Sequence, residues 1–77
     1  NVVAYPNPSN HQFTVDVKGN SSEKVEVVIY DLLGRILKRV ENSDSLPIKF
    51  GEELPTGTYL TVIRQGTNHK TVKLIKQ

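Results

Sequence analysis

The sequence predicts an all-β fold, a two-layered antiparallel sandwich of seven short strands. Three observations predict it. The apolar set is dominated by β-branched residues, with ten valines and five isoleucines, while alanine occurs once, at Ala4, and methionine never. β-Branched side chains are stiff at χ1 and suit a pleated surface, whereas alanine is the best helix former. Five glycines (Gly19, Gly34, Gly51, Gly57, Gly66) punctuate the chain at strand-plus-turn intervals. Between them, apolar and polar residues alternate with the period of two that marks strands with one buried face.

The first run, Val2 to Tyr5, is stopped by Pro6-Asn7-Pro8-Ser9-Asn10. Two prolines cannot go on donating to a ladder. Gln12 to Val17 alternates cleanly, with Phe13, Val15 and Val17 opposed to Thr14, Asp16 and Lys18. A polar turn follows at Gly19-Asn20-Ser21-Ser22. Lys24 to Tyr30 puts Val25, Val27 and Ile29 on one face. Its other face, Glu26, Val28 and Tyr30, is also partly apolar, which predicts a central strand. Asp31-Leu32-Leu33-Gly34 reads as a hairpin turn in which Gly34 supplies a positive φ. Arg35 to Val40 is the return strand. Lys38 and Arg39 inside it predict a sheet edge, where lysine discourages pairing with other chains.

Asn42-Ser43-Asp44-Ser45 forms the next loop, and Leu46, Ile48 and Phe50 alternate with Pro47 and Lys49 in a short edge strand. Gly51 to Gly57 is a corner. Tyr59 to Arg64 opposes Tyr59, Thr61 and Ile63 to Leu60 and Val62. Gln65-Gly66-Thr67-Asn68 turns the chain, and Lys70 to Lys76 closes it, with Val72 and Leu74 opposed to Thr71, Lys73 and Ile75. Seven strands at this length, with no credible helix and short loops that favour antiparallel pairing, give the immunoglobulin-like architecture. A small closed barrel is the structural alternative.

Composition narrows the function. A chain of 77 residues is one domain, and 36% apolar residues make one thin core. A domain of this size buries only about 60% of its unfolded surface. That leaves little scaffold for a catalytic cleft, so an enzyme is not expected. There is no cysteine, hence no disulfide framework and no thiolate metal site. A net charge of +2 lacks the clustered basic excess of a nucleic-acid binder. No apolar run approaches the roughly 18 residues that span a membrane, and no signal peptide is present, so no membrane insertion is expected. The chain starts at Asn1, which suggests a piece of a longer polypeptide.

Residues able to do chemistry are dispersed. His11 and His69 fall in expected loops, far apart in sequence, where the ordinary reading is two solvated side chains. The serines lack a nucleophile-elbow context, and no glycine loop could cradle phosphate. Glu41 and Asp44 flank a loop without the dense oxygen ligands that calcium needs. Asn20-Ser21-Ser22 fits the glycosylation acceptor pattern, which is short enough to recur by chance. No metal or cofactor is expected. Leu54-Pro55-Thr56-Gly57-Thr58-Tyr59 is more specific: it looks like a tyrosine corner, in which the Tyr59 hydroxyl bonds backbone near Leu54.

The order of motifs carries a resemblance. Tyr5-Pro6-Asn7-Pro8, Phe13-Thr14-Val15, Val27-Val28-Ile29-Tyr30-Asp31-Leu32-Leu33-Gly34-Arg35, Leu54 to Tyr59 and Lys73-Leu74-Ile75-Lys76 follow one another along nearly the whole chain. Each is weak alone. Together they resemble the C-terminal sorting domain of the Bacteroidetes type IX (Por) secretion system, in its common type A variety. The resemblance implies that residues 1–77 are a single non-catalytic domain at the end of a larger cargo protein. It implies transit through the periplasm and recognition by the outer-membrane translocon and shuttle proteins. Cleavage by a sortase and attachment of the cargo at the cell surface would follow, with the last residues, Val72 to Gln77, mattering most for export.

The partner-binding set expected on that basis is Lys70, Val72, Lys73, Leu74, Ile75, Lys76 and Gln77. These form a basic, two-faced terminal strand that could offer main-chain hydrogen bonds and charge steering. On composition alone the plainer reading is a lysine-protected edge strand with its lysines in solvent; the resemblance reverses that preference. Tyr5, Pro6, Asn7 and Pro8 are expected to stiffen the start of the domain, and Gly34, Gly57 and Tyr59 to shape the backbone. The alternative function is an immunoglobulin- or fibronectin-like binding module of a surface enzyme, possibly binding carbohydrate. It is weakened by the lack of tryptophan. A terminal edge strand also allows an edge-to-edge dimer.

Overall fold

The computed structural model describes residues 2–17, 24–42 and 47–77. The loops expected at 19–22 and around 43–45, with Asp44 and Leu46, lie outside these. The described residues form seven strands: β1 (Val2–Tyr5), β2 (Phe13–Val17), β3 (Val25–Tyr30), β4 (Ile36–Asn42), β5 (Ile48–Phe50), β6 (Gly57–Gln65) and β7 (Asn68–Lys76). They make two antiparallel sheets, one ordered β1-β2-β5 and the other β4-β3-β6-β7. The expected centre and edges are realised: β3 lies between β4 and β6, while β4, β5 and β7 are edges. No helix of the described chain is long and apolar enough to cross a membrane.

The inward-facing sets read from alternation meet in one core. Phe13, Val15, Ile48 and Phe50 from the smaller sheet pack against Val25, Val27, Ile29, Tyr59, Ile63 and Leu74 from the larger. The rings of Phe13 and Phe50 lie 6.0 Å apart, tilted by 32°. Thr61 is a polar member of the inward row on β6. It is fully buried, and its Oγ1 has no hydrogen-bond partner among the described residues. Val28, on the opposite face of β3, is buried too, between Arg39 and Val62 across the strands.

The last hairpin is longer than the sequence suggests. Four residues, Gln65 to Asn68, were expected to turn, but Gln65 already pairs with Asn68, which leaves only Gly66 and Thr67 between the strands. Gly66 takes φ +61° at the first central position, the place where a two-residue turn needs glycine. His69 consequently sits on β7 opposite Arg64 and not in a loop. In the β3–β4 hairpin the register shifts between Ile29 and Tyr30, with Ile29 opposite Lys38 and Tyr30 opposite Ile36, so Leu37 is an extra, bulged residue.

Candidate functional site: the terminal strand and its strap

β7 is an edge strand, paired with β6 from Gln65–Asn68 to Gly57–Lys76. The C-terminal part of its other edge is not open. The segment after β1 lies against it. Asn7 Nδ2 donates to Lys73 O at 2.9 Å, and Ile75 N donates to Asn7 Oδ1 at 3.0 Å. Ser9 N then donates to Ile75 O at 3.0 Å, and Gln77 N to Ser9 O at 2.7 Å. Ser9 and Lys76 form a parallel bridge. Proline has no N–H to offer. Between Pro6 and Pro8 the side-chain amide of Asn7 therefore supplies the donor and acceptor that a strand would supply from its backbone. Both proline peptide bonds, Tyr5-Pro6 and Asn7-Pro8, are cis. Ser9 is buried, donates its Oγ to Gln12 O at 2.7 Å and accepts from His11 N at 3.2 Å, which closes the strap locally.

Lys76 corrects an expectation. Strand alternation places it on the inner face beside Leu74, opposite Gly57, and it is only 5% exposed. Its ammonium donates to the carbonyls of His11, of Gly51 at 2.6 Å and of Glu52 at 3.1 Å. Three acceptors match the three N–H groups of a lysine. Its charge is internal, so it cannot steer a partner. Lys70 and Lys73 remain exposed, as do Ile75 and Gln77, while Val72 is half-buried and Leu74 fully buried. Tyr5, Pro6, Asn7 and Pro8 are exposed alongside. The two sequence-expected motifs at opposite ends of the chain are therefore one surface.

The corner that receives Lys76 depends on Gly51, which the sequence reading did not single out. Its φ is +88°, and a Cβ there would come within 3.0 Å of Phe13 Cδ2 and 3.3 Å of Leu54 Cδ1. The signal available was a glycine at the end of an alternating run; the carbonyl cage had none. Gly57 has no positive φ, and a Cβ there would meet Tyr59 at ordinary contact distance. Gly34 does take φ +88°. The tyrosine corner is formed, with Tyr59 Oη donating to Pro55 O at 2.5 Å, one residue beyond the expected acceptor.

Surface ion pairs frame the same end. His11 Nε2 lies 3.0 Å from Glu52 Oε2, both exposed. Lys38 Nζ donates to Glu53 Oε2 at 2.9 Å, which holds the Glu53 carboxyl below the usual range. Among the described residues no three His, Cys, Asp or Glu side chains gather to hold a metal. Of the tyrosines, Tyr59 is buried, Tyr30 half-buried and Tyr5 exposed, so no aromatic platform is assembled from them.

A family model described as a secretion system C-terminal sorting domain matches residues 3–77. The chain belongs to this family. A search of curated proteins found no match. As a sorting domain it is a C-terminal secretion signal of the type IX system, engages the type IX machinery and directs export to the cell surface or the extracellular space. Such signal domains are in general non-catalytic. The match takes in the strap of the sorting domain and its terminal strand together, the two parts that the hydrogen bonds above join.

Proposed function

We propose that residues 1–77 form a single sorting domain at the C-terminal end of a larger cargo protein, and that the strapped end of β7 is the part read by the translocon. The observation that carries this reading is the set of four hydrogen bonds joining Asn7 and Ser9 to Lys73, Ile75 and Gln77. They hold the end of the terminal strand in one shape with its edge already covered by Asn7 and Ser9, which leaves the side chains of Lys73, Ile75 and Gln77 exposed beside those of Tyr5 and Pro8. Pre-ordering of this kind lowers the entropy cost of recognition. Lys70, Val72, Leu74 and Lys76 support the surface from behind or beside it.

The finer assignments follow the family reading. The domain is of the type A variety from a Bacteroidetes, crosses the periplasm, meets shuttle proteins at the outer membrane and is removed there by a sortase that attaches the cargo. The immunoglobulin-like fold is supported by the strand order β1-β2-β5 with β4-β3-β6-β7 and by the tyrosine corner at the start of β6.

The test fuses residues 1–77 behind a periplasmic signal and a fluorescent reporter in a host with type IX secretion. Surface signal from the intact fusion, with periplasmic retention after deletion of Val72 to Gln77, is the expected result. Asn7→Ala should weaken export while the domain stays folded. If both truncated and intact fusions reach the surface, β7 is not what the machinery reads.

A further inference from the structure

β4 is the outer strand of the larger sheet on the side away from β7. The direction of its backbone groups follows from the ladder. Ile75 offers its N–H and carbonyl to the strap, away from β6. Backbone groups alternate in direction along a strand, so Tyr59, Thr61 and Ile63 face β7, while Leu60, Val62 and Arg64 face β3. Their partners Tyr30, Val28 and Glu26 face β6 in return, which leaves Val25, Val27 and Ile29 facing β4. The bond from Asp31 N to Arg35 O falls in the same phase. On β4, therefore, Lys38 and Val40 are bonded to β3, and Arg39 and Glu41 point their N–H and carbonyl groups out of the free edge.

The side chains of Arg39 and Glu41 share the outer face of the sheet, and both residues are exposed. Glu41 stands directly opposite Glu26 on β3. Neither exchanges backbone bonds with the other, so this is a closely spaced like-charge pair, which destabilises. Arg39 Nε reaches Glu26 Oε2 only at 3.9 Å, and Glu41 is in no ion pair among the described residues. The devices that ordinarily guard an edge are turned elsewhere. Lys38 Nζ is held by Glu53 at 2.9 Å, and the bulge at Leu37 lies at the start of the strand, leaving residues 38–42 in regular pairing.

We propose that two copies of this chain pair through β4, antiparallel, about a twofold axis at Val40. The phase of the free edge permits a twofold at a residue and not between two residues, because only outward-pointing groups can exchange bonds. An axis at Arg39 would set arginine against arginine, and an axis at Glu41 glutamate against glutamate. An axis at Val40 sets Arg39 opposite the partner's Glu41 and Glu41 opposite the partner's Arg39, and the outward N–H and carbonyl of all four residues pair at once. It also brings Val40, which packs half-buried against the core, onto its symmetry mate. β7 offers no such match: residues 68–77 contain no acidic side chain, and the strap covers the end of the strand. The two larger sheets would become one, with β7 and its strap at either outer end and still accessible. Two strands of this length make a small interface, so the association is weak and reversible.

Sedimentation velocity on residues 1–77, from about 10 µM to about 1 mM protein, tests this. The wild type should shift reversibly from monomer to dimer as concentration rises. Arg39→Glu and Glu41→Arg should each weaken self-association about tenfold or more, since each sets like charges against one another across the axis. Both should melt within about 3 °C of wild type, because the side chains are exposed. The decisive sample is the equimolar mixture of the two variants. Each supplies the charges that the other lacks, so the mixture should dimerise again, and Arg39→Glu/Glu41→Arg in one chain should self-associate like wild type. A wild type that stays monomeric at about 1 mM would overturn the dimer. Undiminished association of the single variants would place the contact elsewhere and overturn it as well. A mixture that stays monomeric while the wild type dimerises would overturn the pairing of Arg39 with Glu41 about Val40.

Discussion

Lys76→Met tests the internal seat of the terminal strand. Methionine keeps the length of the stem and removes the ammonium, so hydrogen bonds to the carbonyls of His11, Gly51 and Glu52 are lost together. A hydrogen bond to a charged group contributes about 1.5–3 kcal/mol, but removing the ammonium also recovers its desolvation cost. What remains behind is neutral. Gly51 O still accepts from Leu54 N at 3.1 Å, and the His11 and Glu52 carbonyls are only partly covered. The net loss is therefore about 2–3 kcal/mol, below the cost of stranding a buried charge. For 77 residues the whole stability is on the order of 4–12 kcal/mol, so this is a large share. At about 4–8 °C per kcal/mol for a domain of this size, Tm should fall by about 10–20 °C in a circular dichroism melt. Lys73→Met, an exposed lysine on the same strand, should change stability by less than about 0.5 kcal/mol. A Lys76→Met domain melting within about 3 °C of wild type would refute the buried-seat argument. Equal losses in both variants would point to net charge and not to the carbonyl cage.

Three further outcomes follow from the same structure. Tyr59→Phe removes the bond from Tyr59 Oη to Pro55 O and should lower stability by about 1–2 kcal/mol in a denaturant titration, with an unchanged midpoint counting against a tyrosine corner. Thr61→Val replaces a buried, unpartnered hydroxyl with a methyl of the same shape and should raise stability by about 1 kcal/mol; a destabilised variant would show that Oγ1 has a partner. The backbone N–H of Arg35, followed by the Arg35 side chain and the Leu33 N–H, holds the Asp31 carboxyl below the usual range. Its contribution is thus full above the ordinary aspartate value of about 3.9 and is lost as pH falls below it. The Tm gap between wild type and Asp31→Asn should accordingly be constant near neutrality and close as pH drops through about 4, and a gap that widens on acidification would contradict this.

Much of the architecture was legible because strand alternation is a local property. Phe13 and Val15, Val25, Val27 and Ile29, Ile48 and Phe50, and Val72 with Leu74 could be assigned to inward faces from their spacing alone, and the structure places them there. Turn chemistry was legible for the same reason at Gly34. It failed at Gln65 to Asn68, where pairing of the long β6–β7 ladder ran on to the last possible residue and drew His69 into the strand. Lys76 was misjudged because sequence patterns score lysine as a surface residue, and only the position of three distant carbonyls shows that it can be buried with its hydrogen bonds made.

By itself the sequence determined the all-β class, the number and faces of the strands, the edge character of β4, β5 and β7, the tyrosine corner and the family resemblance. Each of these depends on residue type, or on spacing over a few neighbours. The tertiary structure alone decided that Asn7 and Ser9 clasp residues 73–77, that Lys76 points into a cage built from 11, 51 and 52, and that Leu32 and Leu33 are left uncovered. These facts join residues up to 68 positions apart. No local periodicity encodes such contacts, because they arise only when the packing of two sheets brings the two ends of the chain together.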